Sequence, residues 1–186
     1  MKQNKAIFLD KDGTLIPDIP YNVNPDLISL EDGAIKGLYA LQSDGYLLII
    51  ISNQSGVAQG VFAEKALSGV HEKIVQLLKD NYINLDGFYY CPHHSSGSIQ
   101  GYNIECACRK PKPGMILRAA QERNIDLSAS WMIGDILNDV EAGNKAGCRT
   151  ILIDNGNETE WIQNEWRKPD YLAGNIIEAA EFILNQ

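Results

Sequence analysis

Five consecutive aliphatic residues, Leu47 to Ile51, constrain this chain more than any other feature. A strand made only of Leu and Ile has no polar face, so both faces must be covered, as they are in the middle of a parallel sheet. Parallel strands need long crossovers, usually helical, and the flanking sequence supplies them. Residues 33–43 carry Ile35, Leu38, Tyr39 and Leu41 at helical spacing, with Gly45 as a stop. Ala63, Leu67, Val70, Ile74, Leu77 and Leu78 form a stripe of 3.6-residue period. Ala6–Leu9, Gly87–Cys91, Trp131–Ile133 and Thr150–Ile153 read as further strands, and residues 114–124, 138–146, 157–167 and 175–185 as helices. This alternation predicts an α/β protein: three layers around a central, mostly parallel sheet, in one domain over 1–186. Ligands in such folds bind at the carboxyl ends of the strands.

The longest apolar run, Tyr46 to Ile51, is far short of the roughly 20 residues of a membrane span. The first residues, Met-Lys-Gln-Asn-Lys, lack the apolar core of a secretory signal. The expectation is a cytoplasmic protein, monomeric, without a membrane partner. With 16 Lys+Arg against 24 Asp+Glu, the formal charge is −8. That balance disfavours nucleic acid as a partner, and an anionic substrate would need a locally positive pocket.

Four segments at expected strand ends carry chemistry. Asp10-Lys11-Asp12-Gly13-Thr14 follows the first strand, and two carboxylates at i and i+2 converge if the chain turns at Gly13. Such an aspartate can attack phosphorus or bind a hard cation; the plainer reading is an Asp-Gly turn. Ser52-Asn53-Gln54-Ser55-Gly56 offers a hydroxyl, an amide and backbone N–H groups to a phosphoryl oxygen, or is simply a polar loop entering a helix. Arg109-Lys110-Pro111-Lys112-Pro113 is the densest cationic stretch, able to offset repulsion between a carboxylate nucleophile and an anion. Gly134-Asp135, with Asp139 beyond it, could complete a Mg²⁺ site, although Asn138 and Asp139 equally suit a helix cap. All four fall where a single site of an α/β protein is built.

A fifth signal lies in the irregular stretch 92–113. Cys91-Pro92-His93 is followed by Cys106-Ala107-Cys108, two tight pairs that suit a tetrahedral structural Zn²⁺ with three thiolates and one imidazole. Zn²⁺ would staple a loop, about 91–108, too polar to make its own core. His94 competes with His93, though Cys-x-His matches Cys-x-Cys better. Cys148 and His71 read as structural residues.

In this order the motifs resemble those of the haloacid dehalogenase (HAD) superfamily of phosphatases, over essentially the whole chain. The resemblance implies the Rossmann-like HAD fold. It implies that Asp10 is the nucleophile and forms an aspartyl-phosphate, and that Asp12 is the general acid and then the base. It implies Mg²⁺ on Asp10, Asp135 and the carbonyl of Asp12, with Ser52 and Lys110 on the phosphoryl oxygens. Lys110 is preferred to Lys112 because it directly precedes Pro-x-Pro. Only 39 residues separate Asp12 from Ser52, too few for a large cap domain. The zinc loop further resembles the capless branch that holds heptose bisphosphate phosphatases and histidinol-phosphate phosphatases. Cys108-Arg109-Lys110-Pro111 and Ser52 to Gly60 are most similar to the heptose-acting members. That likeness implies a small phosphorylated sugar as substrate, losing its 7-phosphate. It assigns Asp18, Tyr21, Asn53, Gln54, Ser55 and Arg109 to substrate binding. Ile136 stands where that group often has a basic residue. Outside enzymes, the alternative is a zinc-stapled binding module without catalysis, against which the intact Asp10, Asp12 and Lys110 speak.

Overall fold

The computed structural model describes residues 3–186, so the expectation about the chain's start lies outside the described residues where it concerns Met1 and Lys2. Six strands form one sheet: β1 (Lys5–Leu9), β2 (Tyr46–Asn53), β3 (Gly87–Cys91), β4 (Trp131–Gly134), β5 (Arg149–Ile153) and β6 (Tyr171–Ala173). Their order is β3-β2-β1-β4-β5-β6, with every pair parallel. The chain builds outward from β1 to β3 on one side, then returns to β4 and builds outward on the other. The direction reverses between β1 and β4, and a crevice opens there at the carboxyl ends of the strands.

Helices cover both faces. On one face α1 (Ala34–Ser43), α3 (Leu67–Lys79) and α6 (Ile176–Leu184) pack Leu38, Leu41, Val70, Ile74 and Ile183 with Ile7, Leu9, Leu48 and Ile50. On the other, α4 (Gly114–Arg123) and α5 (Leu137–Ala146) pack Met115, Ile116, Ala119 and Ala142 with Ala6, Phe8, Ile49 and Ile51. Alternate residues of β1 and β2 thus enter opposite cores, as the period of two requires. The all-aliphatic run Leu48–Ile51 is fully buried. A short helix, α2 (Gly56–Gln59), follows β2. Among the described residues no helix is long and apolar enough to cross a membrane.

Three expectations need correction. The helix expected at 157–167 is an irregular loop. Side chains there bind nearby backbone instead: Asn155 accepts from the Asn157 N–H, Glu158 from the Glu160 N–H and Asn164 from the Trp166 N–H. Such local bonds compete with the helical ladder. The three-residue strand β6 was missed; with Leu172 exposed at the sheet edge it shows little hydrophobic pattern. Ala63 does not belong to the long helical stripe, because α3 starts at Leu67 after a 3₁₀ turn at Glu64–Ala66.

Candidate active site

The crevice is lined from four strand ends. After β1 the chain turns tightly, with the Leu15 and Ile16 N–H groups both reaching the Lys11 carbonyl at 3.0 Å. Gly13 takes φ +84° in that turn, and a Cβ there would lie 2.2 Å from Asp135 Oδ2 and 2.4 Å from Asn157 Nδ2. Glycine therefore serves both the backbone conformation and the close approach of β4's carboxylate. The turn places Asp10 and Asp12 in one cavity of about 190 Å³ with Asp18, Asn53, Lys110, Asp135, Ile136 and Asn157.

Lys110 is the hub. Its side chain is 3% exposed, and its Nζ lies 2.5 Å from Asp10 Oδ1 and 2.5 Å from Asp139 Oδ1, with a further bond to the Ile51 carbonyl at 2.9 Å. Its position is fixed by Asn53 at the end of β2. The Asn53 amide accepts from the Lys110 N–H at 3.0 Å and donates to the Lys110 carbonyl at 3.1 Å. Both ends of the amide are thus committed to the backbone of the basic loop.

Carboxylate oxygens of Asp10, Asp135 and Asp139 lie within 4.8 Å of one another. Asp135 is held by Thr14 Oγ1 at 3.0 Å and by Asn157 Nδ2 at 2.8 Å, while Asn155 Nδ2 braces the Gly13 carbonyl at 2.7 Å. Asp139, wholly buried, accepts from the Ile136 N–H, but its Oδ1 faces Lys110 without hydrogen-bond alignment. Asp12 points differently. It pairs with Lys11 through Oδ1 and accepts from Gln54 Nε2 at 3.1 Å through Oδ2, and the same Gln54 amide donates to Ser52 Oγ at 2.7 Å.

The electrostatics follow from this crowding. Burial, then the charges of Asp10 and Asp139, push Asp135 up to about 8. Burial also raises Asp139, to about 6, although the Lys110 charge opposes it. Burial raises Asp12 above the ordinary carboxylate range, against the pull of Lys11. Lys110 is driven above its usual value: burial works against its charge, but Asp10 and Asp139 outweigh it. Four carboxylates face two ammonium groups here, an excess of negative charge that a hard divalent cation would offset. The all-oxygen donor set of Asp10 and Asp135, whose carboxylates lie within 4.8 Å of each other, fits Mg²⁺.

Of the residues expected to bind substrate, Asp18, Tyr21, Asn53, Gln54 and Ser55 line a second hollow of about 310 Å³. It shares Asp12, Asp18 and Asn53 with the acidic cavity, so the two form one cleft. Arg109 lines neither hollow; its Nη1 donates to the His93 carbonyl at 3.4 Å. Five participants escaped the sequence reading: Lys11, Thr14, Asn155, Asn157 and the carboxylate of Asp139 as a partner of Lys110. Asn155 and Asn157 follow β5, so the strand-end rule pointed to them.

Beyond β3, the Sγ atoms of Cys91, Cys106 and Cys108 lie 3.0–3.4 Å apart, and His93 Nδ1 is 3.7 Å from Cys91 Sγ and 3.4 Å from Cys108 Sγ. All four donors fall within 4.8 Å, a set that fits a tetrahedral Zn²⁺. His94 turns to Ser96 instead. Burial works against charge on Cys106, yet hydrogen bonds from Cys108 and from the Arg109 N–H lower it to about 6. The loop docks on α2 through the Ser98 and Ile99 N–H groups, both reaching the Ala58 carbonyl. It docks on the turn before α3 through Tyr102, which donates to Glu64 at 2.6 Å. A larger cavity of about 650 Å³ lies against Tyr89, His93, Met115 and Arg118, away from the acidic cluster.

Known proteins resemble this chain in sequence and fold. The pattern of the HAD-hydrolase-like family matches residues 107–179. A D-glycero-β-D-manno-heptose-1,7-bisphosphate 7-phosphatase of Pasteurella multocida (strain Pm70) is 46% identical over 180 residues, 96% of each chain. One of the same name from Yersinia pestis is 41% identical, covering 97% of this chain and 89% of its own. The crystal structure of a D,D-heptose 1,7-bisphosphate phosphatase from B. bronchiseptica, complexed with magnesium and phosphate, superposes with a TM-score of 0.78 at 29% identity, over 97% of this chain and 98% of that one. By identity, coverage and fold, this chain belongs to the heptose-1,7-bisphosphate 7-phosphatase family of HAD-like phosphatases, which are phosphoric monoester hydrolases.

Proposed function

We propose that this chain removes the 7-phosphate from D-glycero-β-D-manno-heptose 1,7-bisphosphate through an aspartyl-phosphate on Asp10. One observation carries the chemistry: the Asp10 carboxylate opens into the cleft, with its charge balanced by Lys110 at 2.5 Å and Asp135 close by. The substrate is inferred from the relatives' names.

Asp10 attacks phosphorus, and the bond from phosphorus to the sugar oxygen breaks. Asp12, raised by burial and half-open to the cleft, delivers a proton to the departing alkoxide. It then takes a proton from the water that attacks the phosphorylated Asp10, which frees inorganic phosphate and restores the carboxylate. Lys110 and Ser52 hold the phosphoryl oxygens. Mg²⁺, held by Asp10, Asp135 and the Asp12 carbonyl, supplies charge neutralisation when bound. Asp18, Tyr21, Gln54 and Ser55 face the sugar and Asn53 props the basic loop, while Arg109, which lines neither hollow, would have to turn from the His93 carbonyl to pair the second phosphate. Zn²⁺ on Cys91, His93, Cys106 and Cys108 keeps the loop folded. This reading makes the chain a single-domain, cytoplasmic monomer that needs neither nucleic acid nor membrane. Its free thiols and acidic charge are consistent with that.

The test is Mg²⁺-dependent phosphate release from the heptose 1,7-bisphosphate, beside histidinol phosphate and other sugar phosphates. The heptose bisphosphate is expected to give the highest kcat/KM. A preference for histidinol phosphate, or no release from any of them, would refute the assignment.

A further inference from the structure

Lys11, between the two motif aspartates, is buried to 1% exposure, which is uncommon for a lysine and requires a partner. That partner is Asp12: the ammonium pairs with Oδ1, while Gln54 Nε2 holds Oδ2 at 3.1 Å. The Gln54 amide is itself anchored, donating to Ser52 Oγ at 2.7 Å and taking its backbone position from the Cys91 carbonyl, to which the Gln54 N–H donates at 2.7 Å. The Lys11 carbonyl receives two N–H groups, from Leu15 and Ile16, so its own backbone is fixed as well. Asp12 is therefore gripped at both oxygens by side chains rooted in two different strand-end turns. Lys11 also lines the substrate-side hollow, together with Asp18, Tyr21 and Ser55, whereas Lys110 lines the cavity of the acidic cluster. The two buried lysines thus line different parts of the cleft, Lys110 the acidic cavity and Lys11 the hollow beside it.

We propose that Lys11 is a positioning residue that fixes the Asp12 carboxylate toward the leaving-group oxygen, so that it governs turnover of substrates whose leaving group needs a proton. This deepens the proposed function and rests on its assignment of Asp12 as the proton donor. A neutral side chain of similar length leaves Asp12 one contact short, and its carboxylate can turn away from the leaving oxygen without disturbing Asp10, Lys110 or Asp135. An aryl phosphate such as p-nitrophenyl phosphate departs as a stable phenolate and needs no proton. Phosphorylation of Asp10 by it is therefore blind to the orientation of Asp12, whereas hydrolysis of the aspartyl-phosphate, common to both substrates, still draws on Asp12 as base.

The experiment compares the Mg²⁺-loaded wild type with Lys11→Met, Lys11→Arg and Asp12→Asn on the heptose bisphosphate and on p-nitrophenyl phosphate. Lys11→Met is expected to lower the pre-steady-state rate of Asp10 phosphorylation by the sugar phosphate by about 10²-fold or more, within the usual contribution of a positioned acid. Its KM should stay within about threefold, and the first burst of p-nitrophenolate, which reports phosphorylation of Asp10 alone, should slow by less than about fivefold. Lys11→Arg, which keeps a cation able to reach Asp12, should recover most of the sugar-phosphate rate, and Asp12→Asn should show the same leaving-group dependence as Lys11→Met. Melting curves separate misfolding from mispositioning, and if Lys11→Met is unstable the comparison passes to Lys11→Arg and Lys11→Gln. Equal losses on both substrates in the phosphorylation step, or no loss there on the sugar phosphate, would overturn the role of Lys11 while leaving the phosphatase intact. A wild type inactive on the sugar phosphate would overturn the proposed function along with it.

Discussion

Lys110 Nζ lies 2.5 Å from Asp10 Oδ1, joining the end of the first strand to a loop one hundred residues later in the chain. The pair is buried and shares its lysine with Asp139. Removing one partner of such a pair leaves an uncompensated buried charge, whose effect is typically about 3–5 kcal/mol. Lys110→Met is therefore expected to destabilise the fold by about that amount and to abolish turnover. Asp10→Asn keeps the shape of the site and removes only the nucleophile, so it should fold normally and lose several orders of magnitude in kcat, on the scale of about 10⁴ or more seen when a nucleophile is deleted. Denaturant melts and phosphate-release assays on the two variants check both halves. An active Asp10→Asn variant would defeat the mechanism.

The acidic cluster gives the metal-free protein a pH signature. Asp135 is pushed up to about 8 and Asp139 to about 6, chiefly by burial. Both carboxyls hold their protons more tightly in the folded chain than in the unfolded one. Their contribution to stability is thus fully present below the unfolded value near ~3.9 and is lost as pH rises through about 6 and then about 8. Mg²⁺ held by Asp10 and Asp135 would reverse this trend, because it would bind Asp135 deprotonated and release its proton, with Asp139 left paired to Lys110. Melting temperature in Mg²⁺-free buffer is expected to fall between pH 5 and pH 8 relative to the Mg²⁺-loaded protein, with the gap widening toward pH 8. A gap that narrows with rising pH would show that these carboxylates do not hold the metal.

Much of this site could be read before any coordinates, for a definite reason. Leu47–Ile51 has no polar residue and so marks an interior strand covered on both faces, and the switch in direction then puts Asp10, Ser52 and Asp135 at adjacent strand ends. The zinc-type cluster was legible because its ligands come in two tight pairs close together in sequence. What stayed hidden depends on contacts between distant segments with no periodic signature. Asn157 meets Asp135 from a loop whose sequence reads as a helix, and that loop is irregular because its Asn and Glu side chains satisfy neighbouring backbone. Lys11 reads as a solvated charge until the turn at Gly13 closes over it. Asn53, expected to face substrate, instead spends both ends of its amide on the Lys110 backbone, a pairing across 57 positions.

Zn²⁺ on the thiol and imidazole donors beyond β3 would staple a long irregular loop to the phosphatase core, so loss of a donor should be felt in stability first. Cys106→Ser removes one ligand of four. Elemental analysis is expected to find about one Zn²⁺ per wild-type chain and much less in the variant, as a four-ligand structural site requires. If the loop contributes about 3–5 kcal/mol when metal-bound, a chain of this size loses on the order of 10 °C in Tm. Proteolysis should then begin between residues 92 and 107. An unchanged melting curve with no zinc in the wild type would remove the metal from the account.

Gly13 offers the sharpest test of the carboxylate geometry. Its φ of +84° already disfavours any side chain, by roughly 1 kcal/mol for alanine. The larger effect is steric, since an alanine Cβ would stand 2.2 Å from Asp135 Oδ2 and 2.4 Å from Asn157 Nδ2. Either Asp135 withdraws from Asp10, or the turn carrying Asp12 moves; both separate the groups assigned to the cation. Gly13→Ala strains a turn that Leu15 and Ile16 anchor in the hydrophobic core, so it is expected to fold with reduced stability. Its apparent affinity for Mg²⁺ should fall by about tenfold or more and kcat by about 10²-fold, the scale of a displacement of about 1 Å at a reacting centre. Titration of Mg²⁺ against activity and against melting temperature measures the two effects separately. Wild-type Mg²⁺ dependence in this variant would mean that Asp135 does not need its observed position to hold the cation.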